Sequence, residues 1–199
     1  MLKRISLRIF VFILFLSPIA LTACGGPARE AVLKDIHDNP GVGAFIKDVP
    51  FYPQNESMCG PAAIASVTGF YGDKVTLSEA AKGVYVAGLK GTLPVDLLIY
   101  AKEKGFDAEY YQGGFKDLKA RISGGRPLIL FLNLGFASYP VGHYITAVGF
   151  DDGLKAVIAH SGMNREEVFT YESLADAWEK TGYATLLVTP GAGKTGRQE

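Results

Sequence analysis

The chain has two cysteines and three histidines among its 199 residues. Cys59 stands in "YPQNESMCGPAAIASVTGFYG" (Tyr52–Gly72), between a polar turn and an apolar, Ala-rich run. Pro61 is tolerated in the first turn of a helix, and the run behind it reads as a helix to about Phe70. The cysteine therefore falls at or just before a helix N-terminus. Partial positive charge and free N–H groups there favour thiolate over thiol. Cys59 is then either a nucleophile placed by that helix or one of the small apolar residues that cores often bury. A thiolate nucleophile needs a base, and the histidines are the candidates. His37 lies in a charged amino-terminal stretch and reads as solvated. His143 opens an apolar strand after "SYPVG", beside a loop, where functional residues concentrate. A histidine satisfied structurally at a strand end is the alternative there.

The elements around these residues follow from pattern. "TLSEAAKGVY" reads as a short helix capped by Thr76 or Ser78. "TLPVDLLIYAKEKGFD" reads as a longer one, with Thr92 as cap, Pro94 in the first turn and Gly105 as stop. "FKDLKARISGG" is a fourth helix. The second half changes period. "RPLILFLNL" is a buried strand, and "HYITAVGFDDGLKAVIAHSG" is strand, Asp-Asp-Gly turn, strand. "REEVFTY" is a short strand, "ESLADAWEKTGY" a helix with the only Trp, and "ATLLVTP" a closing strand. Helices first and an antiparallel sheet after them predict an α+β fold.

The ends of the chain do something else. "MLKRISLRIFVFILFLSPIALTAC" has Lys3, Arg4 and Arg8, an apolar run, then small residues, the pattern of a secretory signal. Its run is short and broken by Pro18, so a spanning helix is disfavoured. "LTAC" (Leu21–Cys24) resembles the lipobox of bacterial lipoproteins. The resemblance implies cleavage before Cys24 and acylation of Cys24, with enough acyl chains for stable anchoring. No Asp follows Cys24, so the outer membrane, facing the periplasm, is the expected location. A lipidated Cys24 leaves Cys59 as the one free thiol, unable to form an internal disulfide. The expected organisation is a signal over 1–23, a tether and lead-in over 24–48, one domain over 49–190 and a disordered tail over 191–199. Removing the signal removes three bases and no acids, so the remainder is mildly acidic and offers no nucleic-acid surface.

"QNESMCGPAAIASVTGFYG" followed some 80 residues later by "GHYITAVGFDDG" resembles the bacteriocin-processing (double-glycine leader) cysteine peptidase family. "NLGFASYPVGHY" and "HSGMNREEVFTYESLADAWEKTGY" resemble its free-standing lipoprotein branch. The resemblance, over roughly Val49 to Val188, implies a papain-like fold. It implies Cys59 as nucleophile, His143 as general base and acid, and the Gln54 amide as an oxyanion donor. It also implies an acidic third member after the strand that follows the hairpin. This chain has His160-Ser161-Gly162 there. His160 is the expected substitute, since papain-like cell-wall peptidases of the NlpC type use a histidine, and Asn133 is a second candidate. Asp151 and Asp152 belong to the hairpin turn. The expected activity is hydrolysis of a peptide or protein substrate through an acyl-enzyme, with no cofactor. No P-loop precedes a helix, so ATP is not expected, and the scattered histidines make no metal site. The alternatives are a papain-like cell-wall peptide hydrolase and an inactive binding or assembly lipoprotein.

Overall fold

The computed structural model describes residues 26–193. The signal, Cys24 and residues 194–199 lie outside the described residues. The elements run α1 (Arg29–Asp38), β1 (Gly43–Phe45), α2 (Cys59–Phe70), α3 (Leu77–Val84), α4 (Pro94–Glu103), β2 (Phe106–Gln112), α5 (Phe115–Ser123) and β3 (Leu128–Asn133). They continue with β4 (Gly142–Asp151), β5 (Ala156–Ser161), β6 (Asn164–Thr170), α6 (Tyr171–Glu179) and β7 (Ala184–Pro190). Among the described residues the strands form one sheet, ordered β2-β7-β3-β4-β5-β6, with β1 paired to the far half of β4. Every pairing is antiparallel. The α+β class is the one expected.

Alternation along the strands divides the core into two layers, one on each sheet face. Ile129, Tyr144, Leu186 and Val188 join Ile64, Val67, Val84 and Leu97 from α2, α3 and α4. Leu128, Leu130, Leu132 and Ile145 join Leu118 and Ile122 of α5, Trp178 of α6 and Val32 of α1. Helices thus cover both faces. This is why β3 and the middle of β4 read as continuous apolar runs.

Three features differ from the sequence reading. Of the stretch 24–48, expected to be a tether and lead-in, the described residues 26–48 are largely built into the domain. Val32 is fully buried, β1 pairs with Gly149–Asp151, and the Arg29 guanidinium is paired with Glu166. Its Gly, Pro and charge content hid a helix with one inward stripe. Strand β2 is not legible as a strand in the sequence, because "FDAEYYQ" is an edge strand with most of its side chains in solvent. Thr92 is not the cap of α4. Leu93 holds that position, with its N–H 3.4 Å from the Asp96 carboxylate. The capping box of α3 is present, with Thr76 Oγ1 accepting from Glu79 N–H at 3.2 Å and Glu79 accepting from Thr76 N–H at 2.8 Å.

Candidate active site

Cys59 is the first residue of α2, entered through a 3₁₀ turn over Glu56–Met58. No side chain caps this end of the helix, so its leading N–H groups stay available to the thiol. The backbones of Tyr144, Gly60 and Cys59 itself lie close enough to the sulfur to favour its thiolate form. Burial nevertheless dominates: Cys59 is only 7% exposed, and desolvation pushes its thiol above the usual cysteine range, with those backbone donors opposing. The helix N-terminus alone therefore does not make a resting thiolate. For this thiol to act as a nucleophile, a base would have to take its proton.

Tyr144 fixes α2 against the sheet. Its backbone reaches the Cys59 sulfur, and its hydroxyl donates to the Thr92 carbonyl at 3.2 Å. Thr92 in turn lies flat against Gly60, where a Cβ would come within 2.5 Å of Thr92 Cβ. Only glycine lets the helix approach this closely. Gly60→Ala is expected to cost about 1–3 kcal/mol, as overpacked contacts do. Urea unfolding should show the loss, and an unchanged midpoint would mean that Thr92 simply moves aside.

Gln54 is brought to the same place by the lead-in segment. Ile46 N–H donates to Val148 O at 2.8 Å, and Gln54 N–H to Gly162 O at 3.2 Å. The Gln54 side chain is only 8% exposed, and its Oε1 has no hydrogen-bond partner among the described residues. A buried carboxamide oxygen without a partner is costly. Rotation of the carboxamide presents either its oxygen or its NH₂ to that space, and an incoming oxyanion would be met by the NH₂. Gln54 also joins two spaces. One is a narrow void of ≈ 10 Å³ lined by Cys59, Ser66, Thr146 and His160. The other is an open cleft of ≈ 800 Å³ lined by His143, Lys90, Gly142, Gly162 and Met163. A larger cleft of ≈ 900 Å³, lined by Lys47, Tyr71 and Arg126, lies at the other end of α2 and holds none of these residues.

His143 is half-buried near the start of β4, adjacent in sequence to the residue that touches the thiol. Its Nε2 lies 3.1 Å from Ser161 Oγ. Ser161, not His160, is thus the residue of the following strand that meets the imidazole. His160 points into the other layer, and both its nitrogens are engaged. Nδ1 accepts from Glu166 N–H at 3.2 Å, and Nε2 bonds the Val49 carbonyl at 3.0 Å. Asn133 is also committed elsewhere. Its Oδ1 accepts from Gly135 and Val141 N–H, both at 2.9 Å, which closes the loop before His143. Asp151 sits in the turn as expected, accepting from Leu154 N–H at 2.8 Å. Strand alternation was the signal for Ser161: adjacent residues face opposite ways, so only one of 160 and 161 can share a face with His143.

His160 has a consequence for stability. Burial lowers its pKa below the ordinary 6.5, against the raising effects of the Val49 carbonyl and Glu166. Below about pH 6.5 the unfolded chain takes up a proton that the folded chain refuses, so stability is full above that pH and falls beneath it. The thermal midpoint should be lower at pH 5.5 than at pH 7.5. The difference should shrink in His160→Gln; an unchanged difference would place the titration elsewhere.

Comparison with known proteins bears on this arrangement. The family model of the Peptidase C39 like family matches residues 46–186. No curated protein matches the chain. Solved structures share its fold, among them the following two. The peptidase domain of Streptococcus ComA, a bifunctional ABC transporter involved in a quorum-sensing pathway, aligns with a TM-score of 0.60 at 20% identity, over 72% of this chain and 99% of that one. A double-glycine-motif protease from an AMS/PCAT transporter, solved in complex with the leader peptide, aligns with a TM-score of 0.56 at 20% identity. That alignment covers 74% of this chain and 94% of the other. The family match runs from just after β1 into β7 and includes Gln54, Cys59, His143 and Ser161, and the chain belongs to the Peptidase C39 like family.

Proposed function

We propose that this protein is a membrane-anchored cysteine peptidase that hydrolyses peptide bonds through an acyl-enzyme. One observation carries the reading: Cys59 opens α2 against β4, the strand that carries His143, and buried Gln54, whose Oε1 has no partner among the described residues, lines both the void at Cys59 and the cleft at His143. His143 takes the thiol proton as Cys59 Sγ attacks the scissile carbonyl carbon. The tetrahedral oxyanion faces the Gln54 amide and the N–H at the start of α2, each such donor typically worth about 3 kcal/mol. Collapse expels the amine, which receives the proton from His143 and leaves a thioester on Cys59. A water molecule, deprotonated by His143, then releases the carboxylate and restores the thiol. The leader peptide bound by the AMS/PCAT protease supports a peptide as substrate.

The anchor belongs to the same reading. Gly26, two residues from Cys24, lies beside Thr170 at the end of β6. Ser161 and Asn164 lie at that hairpin's other end, roughly 20 Å away at the rise of an extended strand. A chain acylated at Cys24 would hold its cleft facing away from the bilayer, toward substrates in the aqueous compartment. The test is exposure of the purified protein to a mixed peptide pool, with new amino termini identified by mass spectrometry. New termini that the Cys59→Ala variant does not produce are expected; none above that control would overturn the reading.

A further inference from the structure

The pairing of β5 with β6 is irregular at one place, beside His143. Ala159 opposes Glu167 and Ser161 opposes Asn164. His160 alone therefore faces two residues, Arg165 and Glu166, which is a β-bulge. Glu166 takes a φ of 57°, a left-handed conformation unfavourable for a side chain other than glycine. The conformation is held from three sides. Glu166 N–H donates to His160 Nδ1 at 3.2 Å. Arg29 Nε donates to Glu166 Oε2 at 2.7 Å, with Nη2 on the same oxygen. Arg165 Nε lies 3.4 Å from Glu166 Oε1. Through its other ring nitrogen His160 holds the Val49 carbonyl, at the head of the segment that delivers Gln54. The bulged strand is β6, and the residue of β5 that follows the one facing the bulge is Ser161.

We propose that Ser161 is the positioning residue of His143: its hydroxyl accepts the Nε2–H, fixes the tautomer, and leaves Nδ1 unprotonated as the base for Cys59. The inference rests on the reading of Cys59 and His143 as the acyl-transfer pair. The bulge is the device that sets Ser161 at 3.1 Å, with His160 as its internal strut. A hydroxyl can do the orienting half of what a third member does, because it accepts an N–H and restrains the ring. It does so as a neutral group, so it adds orientation and no charge. Together with a buried thiol, this describes a pair that exchanges its proton during attack instead of resting as an ion pair.

The test uses the full chain, iodoacetamide as probe and mass mapping to read the alkylation of Cys59 apart from Cys24. Ser161→Ala is expected to slow alkylation at pH 7 by roughly tenfold, part of the 10²–10⁴ that a general base supplies. Ser161→Thr, which keeps the hydroxyl, should recover most of that rate, and melting temperatures should report both variants as folded. Nitrogen-15 spectra of the wild-type protein, with His143 assigned by its loss in His143→Gln, should show Nε2 protonated and Nδ1 bare. A wild-type ring protonated at Nδ1 overturns the proposal without any Ser161 variant. Equal slowing in Ser161→Ala and Ser161→Thr overturns it as well, since the hydroxyl is then not the cause. Slowing in His143→Ala with none in Ser161→Ala removes the positioning role and leaves the Cys59–His143 pair standing. No slowing in His143→Ala removes both.

Discussion

Cys59→Ala is expected to abolish peptide turnover, with a loss of about 10⁴-fold or more, the scale seen when an acyl-transfer nucleophile is removed. The fold should survive the change. The side chain is buried at a narrow void it lines with Ala62, Ala63 and Tyr144, and alanine keeps an apolar side chain there while removing one sulfur. The loss should therefore appear at an essentially unchanged melting temperature, together with loss of alkylation at position 59. The resting state sharpens the expectation. Because burial holds the thiol above the usual range, wild-type alkylation should be slow near neutral pH and depend on His143. A Cys59→Ala protein that still cleaves the same peptides at the same rate would exclude the mechanism.

The second large effect separates two histidines that the sequence places almost symmetrically. His143→Ala is expected to lower kcat by about 10²–10⁴-fold, the usual contribution of a positioned general base. Its stability should change little, since the ring lies half-buried at the cleft. His160→Ala should show the reverse. It leaves the Val49 carbonyl and the Glu166 N–H without partners inside the protein, at about 1–3 kcal/mol for each buried group left unsatisfied. Activity at low temperature should follow the folded fraction. Denaturant melts of the two variants, beside kcat measured under native conditions, distinguish these outcomes. A His160→Ala protein that melts normally and loses kcat as His143→Ala does would return His160 to the chemistry.

The family match makes the sequence reading testable at the level of particular residues. The helix behind Cys59 was legible because Pro61 and the Ala-rich run mark a helix start without ambiguity. The hairpin was legible because Asp-Asp-Gly stands between two apolar strands. Those two local signals put Cys59 at a helix end and His143 at a strand start, and neither position needed knowledge of the packing. Helix α1 and strand β2 escaped because a mostly polar segment with one buried stripe looks like a spacer until its partner surface is known. Val32 has its place only because β4, α5 and β6 come together from distant parts of the chain.

The residue that meets His143 shows the limit most clearly. Local sequence narrows it to the end of β5 and to residue types, since His160, Ser161 and Gly162 are all that stand there. The choice among them is made by pairing. The register of β4 on β5 puts Thr146 opposite His160, which turns His160 toward α2, and the bulge on β6 takes up both its ring nitrogens. Ser161 is left facing His143. Register and bulge are long-range backbone geometry, set by hydrogen bonds between strands and by an ion pair from α1, and no window of sequence around His160 contains them. The same holds for the thiol. Its place at a helix N-terminus is local and argues for a thiolate, whereas its burial comes from the sheet packed over it, and burial is the larger effect.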